Sequence, residues 1–396
     1  MSSKEQKIEE LLTRGVAEVI DRTHLKERLL EGTSLRIKLG IDPTSSHIHL
    51  GRAVVLLKLR DFQELGHKIV LIVGDFTGVI GDASDKESER PMLSTREVEK
   101  NMKTYTEQIG RIIDLDKAEV RYNSVWLTEL GYEEIGMQAN AFSLAEFIGR
   151  ENIKKRLDEG KRVSLREVLY PLMQGYDSIA VNADVELGGT DQRFNLLSGR
   201  RLQEAHGQKA QDILMTDLIL GTDGRKMSSS WGNTINLLDT PDDMFGKVMS
   251  IPDELIVSYF VHCTRLVISE VKKMETALAD GTNPRDVKVK LAKEIVALYH
   301  SAKEAAKAET YFVETFSKGY VPQNVREVRT KKGVKLVDML TETHLAKSKS
   351  DARRKIEQGG VEIADERIRD VNAKMEERFD KQVMRVGKKD FVRIVY

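Results

Sequence analysis

The stretch Leu35–Arg52, LRIKLGIDPTSSHIHLGR, decides the fold. Leu35, Ile37 and Leu39 alternate with Arg36 and Lys38, which is the period of a strand. Gly40, Asp42, Pro43, Thr44, Ser45 and Ser46 then break the run into a loop. From Gly51 onward Val54, Leu57, Leu59 and Phe62 fall at helical spacing, with a stop expected near Gly66. A strand, a polar loop and a helix start form the first half of a βαβ unit. The loop carries His47 and His49 to a helix N-terminus, where free backbone N–H groups and the dipole attract phosphate. The expectation is a nucleotide site. The bland alternative is an ordinary βα loop with two surface histidines, since short motifs recur by chance.

Reading outward from this stretch, residues 4–30 carry Ile8, Leu11, Leu12, Val16, Val19 and Ile20 as one apolar face of a helix. Downstream, Lys68–Gly74 (KIVLIVG) is a continuous apolar run, as expected for a parallel strand buried on both faces. A Gly- and Asp-rich loop follows, then a helix over 92–113 and a short strand over Ala118–Tyr122. Strands alternating with helices predict a doubly wound parallel α/β sheet of Rossmann-like type, with ligands at the carboxyl ends of its strands. Residues 124–168 read as a helical insertion, and strands are expected at Val181–Leu187 and Asp212–Met215. The predicted division is a catalytic domain over 1–236, a helical domain over 237–318, a linker over 319–332 and a small α+β domain over 333–396.

Composition narrows the class. The chain has 396 residues and no net formal charge. The charge is uneven: Lys331–Tyr396 holds 17 Lys and Arg against 12 Asp and Glu, so the rest is slightly acidic. A basic C-terminal segment suits a polyanion partner. The single cysteine, Cys263, excludes a disulfide framework and a cysteine metal cluster. The opening MSSKEQKIEELL is charged and does not read as a signal peptide, and no run approaches a membrane span, so a cytoplasmic protein is expected.

Four constellations carry chemistry. Tyr170, Gln174 and Asp177 share one face of a helix expected to start near Tyr170, with Pro171 in its first turn. Their phenol, amide and carboxylate suit an amino-acid ligand, whereas a solvated polar face is the commoner origin of such a row. Gly188-Gly189-Thr190-Asp191-Gln192 allows close backbone approach, and Asp191 is placed to accept from ribose hydroxyls. A glycine turn with a capping Asp is the plain alternative. Gly224-Arg225-Lys226-Met227-Ser228-Ser229-Ser230 is a loop of small residues in which Lys226 can neutralise a leaving phosphate. Gly81-Asp82-Ala83-Ser84-Asp85-Lys86, with Arg90 beyond, sets a carboxylate past a strand end and two cations spaced to follow a polyphosphate. For both of these, a charged surface loop is the ordinary reading.

Together these segments resemble the bacterial-type tyrosyl-tRNA synthetases, a branch of the class I aminoacyl-tRNA synthetases. His49-Leu50-Gly51-Arg52 resembles the HIGH signature, and Lys226–Ser230 resembles KMSKS. The row Tyr170, Gln174, Asp177 is similar to the tyrosine-binding helix, and GGTDQ to the loop holding substrate and ribose. The resemblance implies a tyrosine–tRNA ligase that makes tyrosyl-adenylate from tyrosine and ATP, with Mg2+ as part of the substrate complex and no metal site of the protein's own. It implies that His49, Arg52, Lys226, Lys86 and Arg90 act on the phosphates. Gly51, Gly189, Asp191, Lys226 and Ser228 would bind ATP. Lys38, Asp82, Tyr170, Gln174, Asp177 and Gln192 would bind tyrosine. No editing segment is then needed, since a site built to bond a hydroxyl rejects the analogue without one, a rule for which tyrosyl enzymes are themselves the standard example.

Three positions depart from the family pattern. Arg52 replaces the second histidine of HIGH, and Ser229 replaces the second lysine of KMSKS. Lys38 stands where many members carry a tyrosine that touches the phenolic hydroxyl. The C-terminal SKSDARRKIEQGGVEIADERI resembles the αL RNA-binding motif, which implies phosphate contacts from Lys347, Lys349, Arg353, Arg354 and Lys355 to tRNA(Tyr). A homodimer joined through 124–168 is the family expectation. A non-catalytic RNA-binding relative and a tryptophan-specific enzyme are the competing readings.

Overall fold

The computed structural model describes residues 3–82, 84, 92–317, 326–364, 366–387 and 390–396. Its chain divides into two units, up to Ala306 and from Lys307. The first unit is built on six strands: β1 (Val16–Ile20), β2 (Arg36–Ile41), β3 (Lys68–Val73), β4 (Glu119–Tyr122), β5 (Val185–Gly189) and β6 (Asp212–Thr216). Their order is β1-β6-β5-β2-β3-β4, parallel throughout except for β1 against β6. The chain winds from β2 to β3 and β4 on one side, then returns to lay β5 on the other side of β2. The carboxyl ends of β2 and β5 therefore flank the switch point, where such sheets bind ligands.

The opening stretch folds as its pattern predicts, with β2 leading through the loop into the helix Leu50–Glu64. One detail differs. The alternation of β2 suggests a polar face, yet Lys38 is fully buried, because helices cover both faces of a parallel sheet. Residues 4–30 are not one helix. Ser3–Thr13 is helical, Gly15 takes a left-handed φ of +61°, and Val16–Ile20 pair with β6 as an edge strand. The expected strand at Val181 begins only at Val185, since Asn182 turns the chain at φ +48°. The helix carrying Tyr170 starts five residues earlier than Pro171 suggests, at Leu165, where Ser164 and Glu167 form a capping box. Pro171 is thus interior to the helix. The Glu167 carbonyl that its missing N–H would have served accepts from Arg150 Nη2 at 3.4 Å.

The helices Pro241–Met249, Ile256–Cys263, Ile268–Ala279 and Pro284–Tyr299 belong to the same unit as the sheet. Arg14 ties them down, donating to the carbonyls of Phe260, Val261, Thr264 and Leu266. The second unit holds β7 (Arg326–Arg329), β8 (Val361–Ile363), β9 (Glu366–Ile368), β10 (Val383–Val386) and β11 (Asp390–Val395), in the order β7-β11-β10-β8-β9. Leu336, Met339, Leu340, Ile356, Val361, Met384 and Ile394 form its core. The expected linker over 319–332 therefore contains a strand: β7 lies parallel to β11 as part of this sheet. The remainder of the linker up to residue 325 lies outside the described residues.

Candidate active site

At the switch point the strand ends open into a cavity of about 320 Å³. Of the residues singled out from the sequence, His49, Gly51, Arg52, Asp82, Tyr170, Gln174, Asp177, Gly189, Asp191, Gln192, Lys226 and Ser228 all line it. Lys38 does not, and Lys86 and Arg90 lie outside the described residues. His47 is exposed and bonded to Ser46 in the loop.

The deep wall comes from the helix Leu165–Ala180. Tyr170 donates its hydroxyl to Asp42 Oδ2 at 2.8 Å, and Thr77 donates to Asp42 Oδ1 at 2.7 Å. Burial, with the Asp42 carboxylate alongside, pushes the Tyr170 phenol well above its usual range. This triangle explains Gly74, since a Cβ there would land on the Asp42 and Thr77 oxygens. Two helical turns further, Asp177 is buried and accepts from Trp126 Nε1 at 2.8 Å and Asn123 Nδ2 at 3.3 Å. Burial raises its carboxyl to about 7, against the partial counteraction of Lys38 and these two donors. A carboxylate has about four lone-pair sites, so Asp177 retains capacity toward the cavity. Asp82 stands past the end of β3, accepting from Gln192 Nε2 at 2.7 Å and from the Ser84 backbone N–H at 2.9 Å.

The opposite wall is the phosphate-seeking side. His49 is the N-cap of the Leu50–Glu64 helix and has extended backbone there. Gly51 leaves room beside it, because a Cβ would stand 3.0 Å from His49 Nδ1 and crowd the imidazole. Arg52 is held on both sides, donating to Tyr105 Oη at 2.6 Å and Thr44 Oγ1 at 3.0 Å. The guanidinium thus keeps a fixed positive charge at the helix start in place of an imidazole. The Gly224–Ser230 loop is drawn over this side by two pairings, Leu50 N to Ile235 O at 2.8 Å and Leu237 N to Ile48 O at 2.9 Å. Its base is a hairpin clipped by Asn233, which donates to Asp223 Oδ1 at 2.7 Å and to the Lys226 carbonyl at 3.0 Å. Asn233 and Arg225 together hold the Asp223 carboxyl down to about 2. Lys226 reaches back into the cavity and pairs with Asp191 Oδ2 at 3.1 Å. Gly189 makes room for this pair, since a Cβ there would sit 2.7 Å from Asp191 Oδ1.

The cavity thus has a carboxylate- and amide-lined end and a cationic end beneath a helix N-terminus, the charge pattern for an amino acid beside a nucleotide. Residues 30–317 match the family described as tRNA synthetases class I (W and Y). The chain belongs to this family. Residues 316–394 match a second family, the C-terminal domain of the SYY-like tyrosine–tRNA ligases. A tyrosine–tRNA ligase of Photobacterium profundum is 44% identical over 395 residues, covering 100% of this chain and 99% of the relative. One of Thermotoga maritima is 45% identical over 386 residues, covering 97% and 96%. Among solved structures, a tyrosyl-tRNA synthetase of Archaeoglobus fulgidus complexed with L-tyrosine superposes with a TM-score of 0.61 at 23% identity, over 77% of this chain and 99% of that one. A C-terminally truncated mitochondrial tyrosyl-tRNA synthetase of Aspergillus nidulans gives 0.66 at 21% identity, over 78% and 94%. At these identities the structures speak to the shared fold.

Family membership accounts for the C-terminal unit as well. Lys347 and Arg353 are exposed at and before the helix Lys349–Glu357. Lys349 pairs with Asp338 at 2.7 Å and Arg354 with Asp351 at 2.6 Å. Lys355 is half-buried and donates to the Leu345 carbonyl at 2.7 Å, closing the turn into this helix. The five basic residues therefore divide between outward-facing charge and local scaffolding. Sequence reasoning missed Asp42, Thr77, Asn123, Trp126 and Glu186. Asp42 alone carried a signal, a carboxylate at a strand end locked by the following proline. The others act through long-range packing that no spacing reveals.

Proposed function

We infer that this chain activates tyrosine with ATP and transfers it to the 3′ end of a tRNA. The observation that carries the specificity is Asp177: a buried carboxylate, braced by an indole and an amide, in the wall of the cavity at the strand ends. Tyr170, Gln174 and Asp82 supply oxygens for the α-ammonium, and Gln192 braces Asp82. The tyrosine carboxylate attacks the α-phosphorus of ATP; the new C–O–P linkage forms as the bond to the β-phosphate bridging oxygen breaks, and pyrophosphate leaves. The terminal ribose hydroxyl of the tRNA then attacks the adenylate carbonyl, and AMP departs with the electron pair. No side chain is acylated, so the protein works by positioning and by stabilising charge.

On this reading His49 and the N-terminus of its helix face the α-phosphate, with Arg52 adding fixed charge. Lys226 exchanges Asp191 for the departing pyrophosphate, which frees Asp191 for the ribose. Gly51 and Gly189 permit close approach of adenosine, and Ser228 lies on the same loop as Lys226. Lys86 and Arg90 join the pyrophosphate clamp by family resemblance, and Mg2+ enters with ATP as substrate. Lys347, Lys349, Arg353, Arg354 and Lys355 serve tRNA binding. A homodimer is supported by the outward apolar residues Val125, Tyr132, Met137, Leu144 and Leu165 within the 124–168 segment. Among the described residues no helix is long and apolar enough to cross a membrane.

The test is charging of tRNA with labelled amino acid. Acid-stable tyrosyl-tRNA is the expected product; charging with tryptophan, or with neither, would overturn the assignment.

A further inference from the structure

Beneath the Leu165–Ala180 helix lies a polar cluster that the proposed chemistry does not use. Lys38 and Glu186, on the adjacent strands β2 and β5, are both fully buried and pair at 2.9 Å. An ammonium has three protons. Lys38 donates to the Gln174 carbonyl at 2.9 Å and to Ser178 Oγ at 2.7 Å, besides its ion pair with Glu186 Oε1. Its ammonium is fully buried among these partners and does not line the cavity, which corrects the expectation that Lys38 touches tyrosine. Glu186 is also saturated: Gln174 Nε2 donates to Oε1 at 3.2 Å, and Ser178 Oγ at 3.1 Å and Gln211 Nε2 donate to Oε2. Gly199 closes the cluster from the facing helix, since a Cβ there would stand 2.6 Å from Gln211 Nε2 and 2.8 Å from Ser178 Oγ.

Two consequences reach the cavity. A carboxylate only accepts, so Glu186 fixes the Gln174 amide with its NH2 toward the sheet. The carbonyl Oε1 is then what Gln174 offers a ligand, and a substrate ammonium needs an acceptor. Lys38 also grips the Gln174 and Ser178 turn that carries Asp177, and its charge attracts a carboxylate there while that of Glu186 repels one.

We propose that Lys38 and Glu186 are a positioning pair for tyrosine, orienting the Gln174 amide and biasing the charge of Asp177 from beneath the helix. This rests on the tyrosine reading above. The charged and titratable groups acting on Asp177 are Lys38 from β2, Glu186 from β5 and Tyr170 from its own helix. Trp126 and Asn123, from the segment after β4, are neutral donors, and Asp42 and Asp82 stand around Tyr170.

The experiment uses the full chain and measures kcat/KM for tyrosine against pH by pyrophosphate exchange, in wild type, Lys38→Met, Glu186→Gln and the double variant. Lys38→Met moves the acid limb upward by about one pH unit, and Glu186→Gln moves it downward. Each raises KM for tyrosine about tenfold, the scale of one lost hydrogen bond, with KM for ATP unchanged. The double variant brings the limb back toward wild type. A merely structural pair would move both limbs the same way, or raise both KM values together, and either outcome overturns the proposal. If Lys38→Met does not fold, the downward shift in Glu186→Gln and its reversal in the double variant decide the matter. Wild type that exchanges with tyrosine, with variants whose acid limbs stay where the wild-type limb lies, sinks this inference alone; wild type without tyrosine exchange sinks the reading beneath it.

Discussion

Asp177→Asn is expected to stabilise the empty protein while damaging its selectivity. The Asp177 carboxyl rises from an ordinary 3.8 to about 7 through burial. The folded chain thus holds that proton more tightly than the unfolded chain does. Its ionisation costs nothing below the unfolded value, costs progressively more as pH climbs between the two values, and costs its full amount above about 7. That span corresponds to roughly 4 kcal/mol of destabilisation at alkaline pH, as an order of magnitude. Asparagine removes the charge at nearly constant shape and keeps an oxygen for Trp126 Nε1. Its amide NH2 opposes Asn123 Nδ2, which gives back roughly 1–3 kcal/mol. A net gain of about 1–3 kcal/mol at pH 8, shrinking toward a net loss near pH 4, is the outcome. Urea unfolding followed by tryptophan fluorescence measures it, with Trp126 against the site as reporter. The same variant exchanges a charge-assisted hydrogen bond to the phenol for a neutral one, which lowers the tyrosine-to-phenylalanine ratio of kcat/KM about tenfold or more. A stability change independent of pH, or an unaltered amino-acid ratio, would refute the reasoning.

Three further outcomes are expected. Lys226→Ala frees Asp191 and lowers the rate of adenylate formation about 10²-fold or more while tyrosine affinity, read by equilibrium dialysis, changes little. Gly74→Ala forces Asp42 and Thr77 apart, costs about 1–3 kcal/mol in urea unfolding and weakens tyrosine binding more than ATP binding. A chain ending at residue 325, which removes the whole β7–β11 sheet, retains pyrophosphate exchange and loses tRNA charging; simultaneous loss of both activities would make that unit structural.

The fold was legible where pattern and packing agree. The alternation of Leu35–Leu39 and the apolar Lys68–Val73 run locate β2 and β3 within a residue or two. Two local departures share a cause, tertiary context overriding local propensity. Val16–Ile20 carry a helix-like spacing but find an edge place beside β6, and Pro171 suggests a first turn but sits inside the helix, where Arg150 serves the carbonyl left by its missing donor. The cavity-lining residues were legible because a ligand site needs special residue types at fixed offsets. What lies beneath them was not. Lys38 reads as a tyrosine-facing cation because nothing in LRIKLG announces that Glu186, far along the chain, meets it at 2.9 Å. The partners of Asp177 likewise come from a segment after β4 that carries no motif.

The most direct test of the central claim is amino-acid-dependent exchange of labelled pyrophosphate into ATP by the full chain. The account predicts exchange with tyrosine, far weaker exchange with phenylalanine and none with tryptophan. Absence of exchange with tyrosine, or exchange with tryptophan in its place, would contradict it.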